Sequence, residues 1–149
     1  TFVVMITILL IHGPNLNLLG TRDKEQYGSL TLSDIETLVA GEAKKFDFDV
    51  KTFQSNHEGA LIDFLQKESE HSGGIIINPG ALTHYSYAIY DALLDSGLPA
   101  VEVHLSDINA REDWRGKSVT GPACIAVISG KKEKGYLDAL ELLISKLKT

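Results

Sequence analysis

Five apolar runs, separated by segments with a helical period, constrain the fold of this chain more than anything else in it. The runs are Val4 to Ile11, Phe48 to Gln54, Gly74 to Asn78, Ala100 to His104 and Ala123 to Ser129. Most are nearly continuous and lack the polar alternation of a strand with one wet face. That is the pattern of parallel strands covered on both sides. Between them lie helical signals. Ser33-Asp34-Ile35-Glu36 reads as a capping box ahead of the stripe Ile35, Leu38, Val39. Glu58 to Glu70 carries Leu61, Ile62 and Leu65 at helical spacing, and Thr83 can cap a helix that runs to Ser96 and stops at Gly97 and Pro99. Lys134 to Leu147 sets Leu137, Leu140, Leu143 and Ile144 on one face, and Asn109 to Trp114 suits a short helical turn.

Strands alternating with helices make a doubly wound α/β domain. Right-handed crossovers leave few arrangements. The expected fold is a flavodoxin-like three-layer sandwich, with a five-stranded parallel sheet of order 2-1-3-4-5, in a single domain over residues 1–149. That length is enough for a real core. The net charge of -6 argues against a general nucleic-acid binder. Cys124 is the only cysteine, so neither an intrachain disulfide nor a multi-cysteine metal site can form, and its apolar run predicts a buried, inert thiol. This usage fits a reducing cytoplasm. The N-terminal run is too short for a membrane span and lacks a basic start and a cleavage region. Thr1 to Val4 precede Met5 and are expected to be an expression remnant or an unusual natural start.

In such sheets ligands bind beyond the carboxyl ends of the strands. Here those ends are rich in His and Asn. They read His12-Gly13-Pro14-Asn15, Gln54-Ser55-Asn56-His57-Glu58, Asn78-Pro79-Gly80 with His84 soon after, and Glu102-Val103-His104 followed by Ser106. Glu102 and His104 are two apart on a strand, so they share a face. The carboxylate can orient the ring and favour its charged form, and an oriented His is a credible general acid. The bland alternative is a structural Glu–His pair in the core. The long loop after strand one holds Arg22 five residues before Tyr27, and that Arg could fold back and favour a phenolate. Arg111 and Arg115, four apart, would share a face of the short helix and suit a carboxylate or several hydroxyl groups, or else meet Glu112 and Asp113 as a solvated face. His84 and Asp91, seven apart, fall on one face of the third helix, too far along the axis for a direct dyad. The histidines lack zinc spacing, so no catalytic metal is expected. Neither a phosphate loop nor a dinucleotide glycine fingerprint follows strand one, and on glycine count alone FMN stays open.

Taken together, Gly13-Pro14-Asn15-Leu16-Asn17-Leu18-Leu19-Gly20-Thr21-Arg22, Tyr27-Gly28, Gln54-Ser55-Asn56-His57-Glu58-Gly59, Ile77-Asn78-Pro79-Gly80-Ala81 and Glu102-Val103-His104-Leu105-Ser106 with Ala110-Arg111-Glu112 strongly resemble type II 3-dehydroquinate dehydratase, in order and over nearly the whole chain. The resemblance implies a cytoplasmic lyase of the shikimate pathway or of quinate catabolism. It would convert 3-dehydroquinate to 3-dehydroshikimate by anti elimination through an enol or enolate, with no cofactor. It also implies a homododecamer of four trimers, with neither nucleic acid nor membrane as partner. Carried across, Tyr27 is the base at C2, Arg22 supports its ionised form, His104 protonates the departing C1 hydroxyl and Glu102 orients His104. Asn15, with the backbone near Pro14, holds a water for the enolate oxygen. Asn78 and the backbone of Leu105 and Ser106 clamp the carboxylate. His84, Arg115 and Asp91 bind the remaining hydroxyls, Asp91 from a neighbouring subunit. A free tyrosine titrates near about 10, so a phenolate at pH 7 needs about 4 kcal/mol, a good part of which a nearby guanidinium can supply.

Two positions and one short segment depart from the family pattern. His12 stands where Asn is usual, Tyr90 where a basic residue is common, and Gly116-Lys117-Ser118 replaces a His-Ser-type segment. Two other classes of function compete on residues alone, a non-catalytic binding domain for a small anion or nucleotide and a purely structural oligomer. The first leaves the Arg22–Tyr27 and Glu102–His104 pairs unexplained. The second leaves the strand-end amides unexplained. Gly20 to Gly28 is expected to be a lid that brings Arg22 and Tyr27 over bound substrate.

Overall fold

A computed structural model describes residues 4–148. The expectation about the first four residues thus falls, apart from exposed Val4, outside the described residues. The elements run β1 (Ile6–His12), α1 (Lys24–Tyr27), α2 (Leu32–Lys44), β2 (Phe48–Gln54), α3 (Glu58–Glu68), β3 (Gly74–Asn78), α4 (Tyr87–Ser96), β4 (Ala100–His104), β5 (Ala126–Ser129) and α5 (Lys134–Leu147), with short 3-10 turns between several of them. The sheet has the order β2-β1-β3-β4-β5, and every pairing is parallel.

Alternation along the strands divides the core in two. Ile8 and Leu10, with Ile76, Val101 and Val103, pack against Ile35, Val39 and Ala43 of α2 and Tyr136, Ala139, Leu140 and Leu143 of α5. Leu9 and Ile11, with Ile75, Ile77 and Ala100, pack against Leu61 and Leu65 of α3 and Ile89 and Leu93 of α4. The central strands bury both faces, which is why they read as continuous apolar runs.

Several boundaries shift for physical reasons. β1 starts at Ile6 and ends at His12, because its pairing with β2 begins at Ile6↔Phe48. The capping box of α2 is Thr31 with Asp34 rather than Ser33 with Glu36. The Asp34 N–H donates to Thr31 Oγ1 at 3.1 Å and the Thr31 N–H to Asp34 Oδ2 at 3.0 Å. α3 stops at Glu68 and a 3-10 turn, Ser69–His71, follows. Ser86, not Thr83, caps α4, accepting from the Ile89 N–H. The Thr83 hydroxyl is committed to buried Glu102 instead. β5 is shorter than its apolar run, because Gly121–Ala123 turns in a 3-10 conformation. Cys124 is only half-buried, and burial still pushes its thiol up to about 12.

Candidate active site

The carboxyl ends of β1, β3 and β4 and the loops that follow them enclose a cleft of about 120 Å³. Its lining includes Pro14, Asn15, Arg22, Tyr27, Gly80, His84, His104, Ser106, Arg111 and Arg115. Two backbone approaches shape one wall. A Cβ on Gly13 would lie 2.1 Å from the Pro79 carbonyl oxygen, and one on Gly80, at φ +63°, would lie 2.9 Å from that of Pro14. Glycine at both points lets the first and third strand-end loops touch. Asn15 adopts a left-handed conformation, with φ 71°, and its N–H donates to Asn56 Oδ1 at 2.9 Å. Gln54 Nε2 donates to the Gly13 carbonyl at 3.2 Å, so the end of β2 secures the loop as well.

Glu102 is wholly buried, on the α3/α4 face of β4 beside His104. His104 Nε2 meets Glu102 Oε2 at 2.8 Å. Thr83 Oγ1 and Ser118 Oγ also donate to Oε2, each at 2.8 Å, and Thr120 Oγ1 donates to Oε1. Burial by itself would raise this carboxyl; the hydrogen bonds from His104, Thr120 and Ser118 outweigh it and hold the group below the usual carboxylate range. An ionised carboxylate accepts from Nε2–H, which leaves Nδ1 as the ring nitrogen for the cleft. The Thr83–Ser118–Thr120 cage had no sequence signal beyond the need of a buried carboxylate for partners.

The loop after β1 brings Arg22 and Tyr27 together. The Arg22 guanidinium carbon stacks 3.8 Å from the centre of the Tyr27 ring. The phenolic oxygen accepts from another cation, Arg111 Nη1, at 2.8 Å. Arg111 does not share a short helix with Arg115. It stands in extended backbone between the turns Ile108–Ala110 and Asp113–Gly116, a conformation that frees its side chain to cross to Tyr27. The arginine pair was visible in the sequence; the contact with Tyr27, 84 residues away, was not.

Arg115 stacks 4.1 Å over Trp114 and bonds Glu112 through Nε at 2.6 Å. His84 meets the Trp114 ring edge-on at 5.2 Å. His84 Nδ1 donates to the Lys117 carbonyl at 2.6 Å, so Nε2 remains for a ligand. His84 lies in the 3-10 turn Gly80–His84, and so it shares no helix face with Asp91 of α4. Asp91 is exposed and absent from this chain's cleft. Asn78 and Leu105 are buried one layer below the lining. The carbonyls of Leu105 and Ser106 accept from the N–H groups of Lys132 and Gly130, which pins that segment to the turn after β5. Among the described residues no three His, Cys, Asp or Glu side chains group to hold a metal ion, and no helix is long and apolar enough to cross a membrane.

The sequence model of the family described as Dehydroquinase class II matches residues 6–144. The chain belongs to this family. It is 52% identical to the 3-dehydroquinate dehydratase of Clostridium perfringens over 142 residues, which is 95% of this chain and 99% of that protein. It is 50% identical to the 3-dehydroquinate dehydratase of Caldicellulosiruptor bescii over 140 residues, 93% of this chain and 97% of the other. The crystal structure of the type II dehydroquinase of Butyrivibrio crossotus superposes with a TM-score of 0.90 at 45% identity, covering 93% of this chain and 97% of that one. The family match runs through every strand whose carboxyl end contributes to the cleft.

Proposed function

We propose that this chain is a 3-dehydroquinate dehydratase that removes water from 3-dehydroquinate by anti elimination. The observation that carries the reading is the presence in one cleft of two supported proton-transfer groups. Tyr27 is held between Arg22 and Arg111, and His104 is held by the caged Glu102.

The Tyr27 phenolate takes the proton from C2, next to the ketone. The C–H electron pair moves into an enolate, whose oxygen is met by a water held by Asn15. A cation bonded to the phenolic oxygen favours the charged form of the base. The enolate then collapses, the C1–O bond breaks, and His104 Nδ1–H supplies the proton with which the hydroxyl leaves as water. Glu102 keeps the ring oriented throughout. Asn78 and the backbone of Leu105 and Ser106 hold the carboxylate, while His84 Nε2 and Arg115 take the hydroxyls. The substrate's negative charge explains arginines in the cleft of an acidic protein.

The reading includes a cytoplasmic enzyme that works in aromatic biosynthesis or quinate breakdown and assembles as four trimers. Support for subunit contact lies beside Asp91, where Tyr85 and Tyr87 each leave 63% of their surface exposed. Such apolar area is suited to burial by another subunit, whose cleft Asp91 would then complete. Incubation of the purified protein with 3-dehydroquinate, followed by the absorbance of the conjugated enone, tests the reaction. The enone accumulates if the reading holds. A folded protein that yields none overturns it.

A further inference from the structure

At the carboxyl ends of β1 and β3 lies a buried polar chain, of which the proposed elimination uses only Asn78. His12 and Asn78 are register partners at the ends of β1 and β3. Each follows by two residues a core side chain of the α2/α5 face, Leu10 and Ile76, so both point to that face. Tyr136, in the first turn of α5, covers them and is fully buried. Asn78 Nδ2 donates to Tyr136 Oη at 3.1 Å, and Tyr136 Oη lies 2.8 Å from His12 Nε2. The two rings stack at 5.4 Å. The Gly80 N–H donates to Asn78 Oδ1 at 3.1 Å, which fixes the orientation of the amide.

These contacts set the direction of the chain. With its oxygen taken by Gly80, the amide must present Nδ2 to the phenol. The phenol then has one proton to give, and His12 Nε2 is the acceptor beside it. His12 is thus neutral and protonated on Nδ1, the one buried side-chain polar atom among the described residues without a partner. Burial favours these forms, since it lowers the imidazole to about 3 and raises the phenol. One Asn78 Nδ2 hydrogen is left uncommitted. The amide is clamped at both ends, and a donor so held loses little freedom when it binds a ligand.

We infer that Tyr136 and His12 are positioning residues that fix the Asn78 amide as a preorganised donor for the substrate carboxylate. This rests on the reading of Asn78 as part of the carboxylate clamp. A carboxylate gains more from a fixed N–H than from one that must first be ordered, so the effect falls on binding rather than on proton transfer.

The test is a double-mutant cycle between Tyr136→Phe, which keeps the ring and removes the hydroxyl, and Asn78→Ala. Tyr136→Phe should raise KM for 3-dehydroquinate about tenfold and leave kcat within about twofold. In the Asn78→Ala background the same change should do nothing further. His12→Gln is a second variant that does not depend on the folding of the first. It should raise KM severalfold, again only when Asn78 is present. Calorimetry with quinate, which lacks the ketone and cannot eliminate, and with its carboxamide gives a readout independent of turnover. Tyr136→Phe should weaken quinate more than the carboxamide, whose neutral carbonyl gains less from the same donor. Additive effects in the cycle, or equal losses for quinate and carboxamide, would overturn the inference. A wild-type protein that does not dehydrate 3-dehydroquinate overturns the functional reading instead, and the quinate cycle then decides the positioning role alone.

Discussion

At the scale of single residues, the chemistry rests on what each titratable group touches. Tyr27 is the proposed base, so Tyr27→Phe should lower kcat by on the order of 10³-fold with binding of quinate retained. Turnover near that of the wild type would remove Tyr27 from the role. His12 makes a different prediction, about stability. Burial lowers its folded-state titration from 6.5 to about 3. Between those values the unfolded chain holds a proton that the folded chain lacks, so stability rises with pH across this window and falls as the solution is acidified through it. Between pH 7 and pH 4 wild-type protein should lose about 3 kcal/mol more than His12→Asn, a difference readable from urea denaturation. Glu102 is also depressed, and its contribution is likewise lost on acidification, but it is common to both proteins and cancels. Parallel stability curves would mean that His12 is not held neutral.

At the scale of elements, the segment expected to act as a lid depends on support from elsewhere. α1 is a single turn of four residues, too short to be stable alone. Its outside help comes from the turn before α5, where Lys132 Nζ donates to the Glu25 carbonyl at 2.6 Å. From within the cleft, Arg111 holds Tyr27. Removing the lysine contact costs about 1 kcal/mol, so Lys132→Ala should raise KM about fivefold and speed amide exchange at Glu25 to Gly28, with β1 and β3 unaffected. Exchange unchanged in that segment would show that Lys132 does not hold the lid. α5 has a longer reach than its apolar stripe suggests. Its body packs the sheet, while Tyr136 in its first turn bonds the ends of two strands.

At the scale of the whole molecule, the proposed reading takes Asp91 from a neighbouring chain. Asp91 is exposed on α4 and outside its own cleft. If a neighbour supplies it, Asp91→Ala and Tyr27→Phe proteins should each be weakly active alone. Unfolded, mixed and refolded together, they should recover activity, because some clefts combine an intact Tyr27 with an intact Asp91. Mass measurement should find twelve chains. A mixture no more active than its parts would place Asp91 outside the chemistry.

Most of the fold was legible in the residues because it follows from periodicity. Continuous apolar runs demand a sheet covered on both faces, stripes at helical spacing supply the cover, and the crossover rule narrows the orders to a few, among them the β2-β1-β3-β4-β5 that the structure has. Glu102 with His104 was legible for the same reason, since strand geometry alone puts them on one face. What tertiary structure decided is where long or short polar side chains end after the chain has folded. Thr83 could have capped a helix, but a buried carboxylate took its hydroxyl. Arg111 could have lain on a helix with Arg115, but extended backbone sent it across to Tyr27. His12, Tyr136 and Asn78 form one chain of hydrogen bonds from β1, α5 and β3. Local propensity is written in neighbours a few residues apart. The satisfaction of a buried polar group depends on which donor the fold brings within 3 Å, and no spacing in the sequence encodes that distance.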